Sequence, residues 1–592
     1  MRRHTFVAGF VALAALGTVG CNDDVMNITP QDQISDADVW TDPALAEAYL
    51  LDIYRGIGHG YWGTSLWAMT DDGHNTRGGA TAQTMLANVT PSSIGGLSGS
   101  RFSHYLWGDL YGYIRQANIF LEQIDQTTFT AEQKAAMKGE AHFLRAYFYH
   151  NLLKVYGAVP LITEPYGLND DFQIARASFA EMVDFIVAEA DSAARLLPLE
   201  QSADNLGRAT RGAALALKAR MLLFAASDLY HENPSGMPEV GYTSAQDRQS
   251  FWRAAQEAAR AVMDLGMYDL YGAEPASAEE ASQNYADIWL DKVNEEQIFL
   301  RYFLVTRGDI PNVGRYQGPN GYHNWGSNTP TQNLVDAYRM ADGSSFDWSN
   351  PAHAAAPYEN RDPRFYATVH YDGGRWVTRP PDAVHLDPVG IIQTFTEVTL
   401  PDGSTVPGLD TRNGPIEAWN GTYAGYYVRK FVDPAVDHQF EMQDVPWIFI
   451  RYAEILLNYA EDSIELGDLA EATDALNRIR RRAAMPEFPA GLSAEQLREE
   501  YRNERRVELV FEEHRFFDAR RWMIAPDHFG DDALGIEIRV SATDPRDRST
   551  YHDYEYDVID IQDRAWDDKL YFMPIARDET NRNGLLAQNP GY

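Results

Sequence analysis

Cysteine is almost absent from this chain, since Cys21 is the only one among 592 residues. A single thiol cannot form a disulfide within the chain, and it cannot supply the paired cysteines of a structural zinc site. The fold must therefore be stabilised by packing. A hydrophobic content of 45% and an aromatic content of 12% indicate a globular protein with a large core.

The sequence also lacks the motifs of common catalytic sites. It contains no H-E-x-x-H, no G-x-S-x-G, no Walker loop and no EF-hand loop. Paired carboxylates could hydrolyse a glycosidic bond, but 86 acidic residues make any such pair uninformative. We predict that the protein is not an enzyme and has no cofactor. The one metal candidate is the segment Asp71 to Asn75, whose oxygen atoms could bind Ca²⁺.

Basic residues are scarce relative to acidic ones. Without the two arginines of residues 1–20, 48 Lys and Arg stand against 86 Asp and Glu, which gives a formal charge of −38. A chain this acidic repels nucleic acids and anionic lipid headgroups. The composition therefore favours neutral or cationic ligands, and we expect no nucleic-acid partner.

The chain opens with two arginines and an apolar run over residues 6–16. This pattern is typical of a secretory signal peptide, and the run is too short for a membrane-spanning helix. Cys21 follows small residues, as the lipidated cysteine of a bacterial lipobox does. We predict a signal peptide at 1–20, a lipidated tether at 21–40 and contact with the membrane through the lipid anchor only. A stray cysteine in an ordinary signal peptide is the alternative.

The segment from Trp447 to Trp522 shows the clearest helical period. Apolar residues recur from Ile448 to Tyr459 at helical spacing, a turn at Gly467 and Asp468 interrupts them, and the same period then returns. We predict two antiparallel helices here. Such a pair cannot bury both of its faces alone, so it implies neighbours of the same kind. The sequence therefore predicts a mainly α fold built as a stack of helix pairs.

Helix-start signals extend this prediction along the chain. The capping-box patterns are Thr130 with Gln133, Ser178 with Glu181, and Ser493 with Gln496. We predict a helical scaffold at 41–270 and 446–522. Residues 285–445 are rich in turn signals and have only short strand-like runs, which favours a loop-rich half packed on the scaffold. With a C-terminal segment at 523–592, residues 41–592 are predicted to form a single domain.

Two loops combine flat rings with amides, carboxylates and guanidiniums. The first runs from Tyr61 to Arg101, and the second lies just before the helix predicted at Thr331 to Arg339. Such groups bind sugars, because C–H faces stack on aromatic rings while hydroxyl groups hydrogen-bond to polar side chains. The alternative for each ring is a place in the core. The candidate ligand-binding residues are Trp67, Asp72, Asn75, Arg77, Tyr322 and Trp325.

A run rich in Arg and Glu spans Arg498 to Arg521. Opposite charges alternate in it at three- and four-residue spacing, which is more typical of a salt-bridged helix than of a binding site. The predicted ion pairs join Glu512, Glu513 and His514 to Arg506, Arg515 and Arg520.

Several segments resemble the SusD/RagB family of Bacteroidetes outer-membrane lipoproteins, and the resemblance runs along essentially the whole chain. Its most specific segments are DPRF at 362–365, RYAEILLNYAE at 451–461, ERRVELVFEEHRFFDARRW at 504–522 and the ending LLAQNPGY. The chain departs from the family at residues 574–576, which read P-I-A where P-I-P is common.

The resemblance implies an α-superhelix of four tetratricopeptide-like helix pairs. It also implies a lipoprotein on the extracellular side of the outer membrane that captures glycan and delivers it to a SusC-like TonB-dependent transporter barrel. In the starch-binding member, aromatic and polar groups in corresponding loops hold the ligand, which points to Trp67, Asn75, Tyr322 and Trp325. The alternatives are capture of peptides for the same type of transporter, a surface glycosidase, and a structural helical-repeat adaptor that binds no nutrient.

Overall fold

A computed structural model describes residues 36–167, 169–304 and 311–592. Cys21, the predicted signal peptide and the tether up to residue 35 lie outside these ranges. The α-helices are α1 (Asp36–Thr41), α2 (Pro43–Ile53), α3 (Ala80–Met85), α4 (Trp107–Gln123), α5 (Ala131–Tyr156), α6 (Phe179–Leu196), α7 (Arg211–Ala226), α8 (Asp228–Glu232), α9 (Arg248–Met263), α10 (Ala278–Leu290), α11 (Val313–Gln317), α12 (Gln332–Ala337), α13 (Pro351–Ala355), α14 (Pro363–Thr368), α15 (Tyr452–Leu466), α16 (Leu469–Arg482), α17 (Ala494–Glu508), α18 (His514–Arg521), α19 (Ala525–Phe529) and α20 (Arg577–Arg582). The strands are β1 (Gly73–Asn75), β2 (Gln297–Arg301), β3 (Asn328–Pro330), β4 (Val369–His370), β5 (Glu397–Thr399), β6 (Thr405–Val406), β7 (Tyr427–Val428), β8 (Trp447–Arg451), β9 (Ala533–Ser541) and β10 (His552–Gln562).

The long helices begin and end where local chemistry predicts. All three capping boxes form, so Thr130, Ser178 and Ser493 each open a helix with reciprocal side-chain and backbone hydrogen bonds. Gly467 ends α15 with φ of 85°, a left-handed conformation that glycine adopts without strain. The helix pair predicted around Gly467 is therefore confirmed as α15 and α16.

The scaffold is a continuous stack of helices. α4 packs on α5, α5 on α6, α6 on α7, α7 on α9, and α9 on α15, which in turn packs on α16 and α17. The stack joins the segment before residue 270 to the segment after residue 446, although about 175 residues separate them in sequence. The predicted mainly α fold, made of stacked helix pairs with a few short strands, is confirmed.

The start of the predicted helix at Ile448 was wrong. Ile448 lies in β8, whose five residues are all buried and which pairs antiparallel with β2. The spacing of Ile448 and Tyr452 matches a helix by coincidence, because an uninterrupted apolar run fits either structure until its neighbours are known. One of the short strand-like runs predicted within residues 285–445 is confirmed as β2, which begins at Gln297.

The C-terminal segment contains a hairpin that the sequence analysis missed. β9 and β10 pair antiparallel, and β5 adds to β9 in parallel, so that the loop-rich half and the C-terminal segment share one sheet. Buried and partly exposed residues alternate along most of β9. That alternation is the period of a half-buried strand, and it was present in the sequence.

One hydrophobic core cluster contains residues from Trp40 to Leu586. It includes side chains from the helical stack, from the loop-rich half and from the C-terminal segment. Within the described ranges, no helix has the length and apolar character needed to cross a bilayer.

Candidate ligand-binding face

The two loops that the sequence analysis selected meet in space. β1 of the first loop pairs antiparallel with β3 of the second, with Gly73 opposite Pro330 and Asn75 opposite Asn328. The Asn75 Nδ2 atom also donates a hydrogen bond to Asn328 Oδ1 at 2.8 Å. A short ladder of backbone pairs thus joins two segments that are more than 250 residues apart, and it brings the rest of the two loops close together.

Two buried carboxylates attach the first loop to the scaffold. Asp71 accepts two hydrogen bonds from Arg515 on α18, at 2.9 and 2.8 Å, and Arg506 on α17 donates to Asp72 at 2.7 Å. Burial by itself would raise the pKa of Asp71, but Arg506 and Arg515 lower it overall, so this carboxylate is held in its charged form. Both aspartates therefore have structural partners, and Asp72 does not face solvent.

The ion pairs of Asp71 and Asp72 occupy the carboxylates of the candidate Ca²⁺ site. The two carboxylates of the segment Asp71 to Asn75 already face guanidinium groups, and a cation would have to displace them. Within the described ranges, no three His, Cys, Asp or Glu side chains cluster in a way that could hold a metal ion. The structure thus offers no support for calcium at this segment.

Three more candidates lie inside the protein. Trp67 is 4% exposed and packs on Phe511, with ring centroids 4.2 Å apart. Asn75 is buried in the ladder. Tyr322 is also buried, and its hydroxyl donates to the Val377 carbonyl oxygen at 2.9 Å. These positions favour the core alternative for the two rings and a structural role for the amide.

Arg77 and Trp325 are the candidates that reach solvent. Arg77 is exposed and Trp325 is half-buried, and the guanidinium carbon lies 5.2 Å from the centroid of the indole ring. The half-buried ring of Tyr316 lies on the same indole, with centroids 5.4 Å apart. A cation and two rings from different loops thus form a continuous surface.

A third loop, which the sequence analysis did not select, completes this surface. The chain at Gly326 runs so close to Asn420 that a Cβ atom on the glycine would lie 2.6 Å from the Asn420 carbonyl oxygen. Next to this contact, Trp419 is 72% exposed and Tyr423 is 42% exposed, with the Arg412 guanidinium 3.9 Å from the tyrosine ring centroid. We call the following residues the ring face: Arg77, Tyr316, Trp325, Arg412, Trp419 and Tyr423.

A signal for the third loop existed in the sequence. Residues 419–423 read W-N-G-T-Y, which combines rings, an amide and a glycine as the other two loops do. The loop does not stand out in the sequence, because it lies in a long region rich in turn signals, where composition alone does not single out one segment.

The two arginines of the ring face have no carboxylate partner among the described residues. Within the described ranges, neither Arg77 nor Arg412 has a carboxylate at ion-pair distance, and Arg412 donates only to a backbone carbonyl oxygen. At the edge of the face, His323 lies between Glu417 and Asp382, each 3.0 Å away. Burial would lower the pKa of His323, but these two acceptors raise it above its ordinary value.

The Arg- and Glu-rich run is structural, as predicted, but its predicted partners were wrong. Glu512 pairs with Arg451 and Lys430, and Glu513 pairs with Arg101. Arg506 and Arg515 instead hold the first loop, and Arg520 donates to backbone carbonyl oxygens. Spacing along one helix does not reveal partners that other parts of the chain supply.

A cavity of about 850 Å³ lies elsewhere, between α4 and α20. Its largely apolar lining includes Trp107, Tyr111 and Phe172. None of its lining residues belongs to the ring face.

Two protein-family models match the chain. The SusD family model matches residues 295–592, and a model described as "Starch-binding associating with outer membrane" matches residues 97–223. Among curated proteins, the chain is 22% identical over 533 residues to SusD-like protein P38 of Formosa agariphila, an alignment that covers 86% of this chain and 90% of the relative.

Solved structures give the same result. A SusD-like protein from Bacteroides fragilis superposes with a TM-score of 0.75 at 28% identity, covering 95% of this chain and all of the other. A SusD-like carbohydrate-binding protein from the same species superposes with a TM-score of 0.71 at 22% identity, covering 93% of this chain and all of the other. The SusD family model spans half of the sequence and the relatives span most of it, so the chain belongs to the SusD family.

Proposed function

We propose that this protein is a cell-surface binding protein that captures an oligosaccharide at the ring face and delivers it to a SusC-like TonB-dependent transporter. The interaction is non-covalent, and the chain carries out no catalysis. Descriptions of relatives as starch-binding and carbohydrate-binding support the ligand class.

The observation that carries this proposal is the convergence of three distant loops on one exposed set of rings. Trp419 and Tyr423 present large apolar surfaces to water, and half-buried Trp325 directly precedes Gly326, whose backbone approaches Asn420. A tryptophan that is 72% exposed gains little for folding, so its position favours contact with a ligand. Sugar rings fit such a surface, because their C–H faces stack on indole and phenol rings.

The guanidinium groups of the ring face favour sugars over basic peptides. Arg77 and Arg412 can donate hydrogen bonds to hydroxyl oxygens, whereas they would repel Lys or Arg side chains. The net charge of −38 favours neutral or cationic ligands, but the arginine charges within the face are positive, which leaves the neutral class. Of the six candidate residues, Arg77 and Trp325 are therefore proposed to contact the ligand. The other four are proposed to support the loops: Trp67, Asp72, Asn75 and Tyr322.

Isothermal titration calorimetry tests this proposal. The mature chain, with Cys21 replaced by Ser, is titrated with maltohexaose, laminarihexaose and a Lys-rich peptide, and each mixture is then analysed for cleavage. We expect saturable binding of an intact oligosaccharide, at about −8 kcal/mol if the affinity is micromolar. Trp419→Ala and Trp325→Ala should each weaken this binding about tenfold, because each removes a ring on which a sugar stacks, and stacking of a nucleic-acid base on such a ring is worth about 1–3 kcal/mol.

Phe172→Ala provides a matched control, because this ring is 52% exposed but lies at the cavity between α4 and α20. The control should bind as the unaltered chain does. Binding of the peptide alone would move the function to peptide capture, and cleaved sugar would identify a glycosidase. If no ligand of any kind bound, the structural adaptor would be the better account.

The anchor and the transporter are tested separately. Cys21 lies outside the described residues, and its lipidation rests on the sequence pattern and on the outer-membrane association of the family. Metabolic labelling with a fatty acid should mark the chain and fail in Cys21→Ser. Co-expression with a TonB-dependent barrel encoded beside it should give a complex that survives affinity purification, and a chain recovered alone would contradict delivery.

A further inference from the structure

A second cleft, of about 580 Å³, opens between α10, α14 and the loop that follows β4. It shares no lining residue with the ring face. The two regions adjoin, because buried Tyr322 hydrogen-bonds to the backbone of Val377, which lines the cleft. We call it the Trp376 cleft, and the residues that matter for its chemistry are Glu279, Ser282, Gln283, Arg375, Trp376 and Arg429.

The indole of Trp376 is held firmly while part of it stays open. Its backbone N–H donates to the Gly390 carbonyl oxygen at 2.8 Å. The buried ring of His370 packs against the indole nearly at a right angle, with centroids 4.5 Å apart. Trp376 nevertheless remains only half-buried, so the rest of its surface faces the cleft. A fixed, partly open indole is a stacking platform that needs no rearrangement to accept a flat ligand.

Two guanidinium groups flank this platform without carboxylate partners. The Arg429 guanidinium carbon lies 5.5 Å from the indole centroid, and the group donates one hydrogen bond, to the Tyr366 carbonyl oxygen at 2.7 Å. Arg375 is exposed beside Trp376. Over the described ranges, no carboxylate comes within ion-pair distance of either arginine. Since a guanidinium has five N–H donors, Arg429 retains four for another partner.

Buried arginines elsewhere in the fold differ in their partners: Arg361 and Arg520 donate to backbone carbonyl oxygens, whereas others pair with carboxylates. Arg364 pairs with Asp362, Glu504 and Glu508, and these carboxylates raise its pKa. Burial lowers the pKa of Arg429, because no carboxylate offsets the loss of water. A half-buried cation without a counter-charge is costly, and an anion in the cleft would remove that cost.

We propose that the Trp376 cleft is a second binding site, which takes a sugar unit carrying a carboxylate or a sulfate group. The pyranose ring stacks on Trp376, and its anionic group accepts hydrogen bonds from Arg429 and Arg375. Polar side chains on α10 supply partners for the hydroxyl groups. This site stands independently of the proposed function of the ring face.

The dimensions and charges of the cleft fit this ligand. Its volume lies within the range of about 300–1,000 Å³ that is common for small-ligand sites. The net negative charge of the protein acts on an anion only weakly at a distance, because the Debye length is about 8 Å at physiological salt. Glu279 also lines the cleft, and its negative charge favours a ligand with a single charge per sugar over a phosphate with two.

A pair of ligands that differ only in charge tests the proposal. The mature chain with Cys21→Ser is titrated with trigalacturonate and with its methyl ester, and a sulfated disaccharide is included as the second anion type. We expect trigalacturonate or the sulfated sugar to bind at least about tenfold more tightly than the ester. Arg375→Gln and Trp376→Ala should each remove about tenfold of that affinity, and Glu279→Gln should increase it.

Two controls separate this site from the ring face. Arg253→Gln removes an exposed arginine on α9 and should leave binding unchanged, whereas Trp419→Ala weakens the ring face and should leave the preference for the acidic sugar over its ester. Equal affinity for the ester, or a loss of this preference in Trp419→Ala without its loss in Arg375→Gln, would overturn the proposal. Tighter binding of AMP than of either anionic sugar would also overturn it, because the site would then be built for phosphate. Arg375 is exposed, so its variant folds and the test stays informative.

Discussion

Arginine has opposite roles in two regions of this molecule. In the core around α17 and α18, Arg451 is buried and pairs with Glu296, Glu508 and Glu512 at 2.5 to 2.7 Å. On the ring face, Arg77 is exposed, and among the described residues its guanidinium lies beside the Trp325 indole without a carboxylate partner. The buried charges hold parts of the chain together, whereas the unpaired charges remain available to a ligand. Whether an arginine stabilises the fold or is available to a ligand therefore depends on its partners and not on its residue type.

The largest expected effect comes from breaking the buried side of this comparison. Arg451→Met leaves three buried carboxylates with one cation fewer, and should lower the free energy of unfolding by about 3–5 kcal/mol. Urea denaturation followed by circular dichroism measures this. Arg481→Met is the matched control, because Arg481 forms a half-exposed pair with Glu487, and should cost at most about 1 kcal/mol. Equal losses in the two variants would contradict the distinction.

Two tryptophans sharpen the comparison for aromatic residues. Trp67→Ala empties a buried site against Phe511 and should lower the free energy of unfolding by about 3–5 kcal/mol. Trp419→Ala removes an exposed ring and should change stability by less than about 0.5 kcal/mol, although it should weaken the proposed sugar binding. Thermal unfolding and calorimetric titration of both variants check these outcomes. A large stability loss in Trp419→Ala would show that this ring belongs to the fold.

Acid should weaken the paired region. Burial by itself would raise the pKa of Glu461, but Arg521 and Arg505 lower it to about 2, whereas the unfolded chain has the ordinary value of 4.5. A lowered pKa contributes stability that is complete above about pH 4.5 and is lost as the pH falls towards 2. The contribution is on the order of 3 kcal/mol. Unfolding measured from pH 7 to pH 3 should show this loss, and Glu461→Gln should reduce the slope.

The smallest effect concerns a carboxylate in the paired region that has no partner. Both carboxylate oxygens of Asp462 are buried without a hydrogen bond from any described residue, and burial raises its pKa well above the ordinary value. The folded chain holds the Asp462 proton more tightly than the unfolded chain does. The free energy of unfolding therefore falls as the pH rises above 3.8, the ordinary pKa of the group. Asp462→Asn should therefore increase the free energy of unfolding at pH 7 by about 1–3 kcal/mol, and the gain should vanish below about pH 3.8. A loss of stability at pH 7 would contradict this.

The helical part of the fold was predictable because its signals are local. A capping box such as Thr130 with Gln133 requires only residues three positions apart, and Gly467 ends a helix by its own conformation. β8 was assigned to a helix because the partner that stabilises it, β2, lies far away in sequence, whereas β9 and β10 pair locally and the alternation of β9 was present in the sequence. Ile448 fits a helical period, and only its pairing with β2 makes it part of a strand.

The candidate site was predictable in its loops but not in its side chains. The composition of the first two loops indicated where flat rings and polar groups gather, and β1 and β3 do join them. Trp67 and Trp325 have equal standing in sequence, yet one packs on Phe511 and the other reaches solvent. Burial depends on contacts with residues hundreds of positions away, so no local pattern could separate the two rings.

The anchoring of the first loop has a consequence for folding. Arg77 follows a strand whose partner lies beyond residue 327, and the neighbouring Asp71 and Asp72 pair with Arg506 and Arg515. These contacts span most of the chain, and contacts of high sequence separation form late because closing a long loop costs entropy. A nascent or truncated chain that ends before α17 lacks the anchor altogether. The ligand contact proposed for Arg77 therefore depends on residues in the last fifth of the chain, and the ring face should be complete only after α17 and α18 have folded.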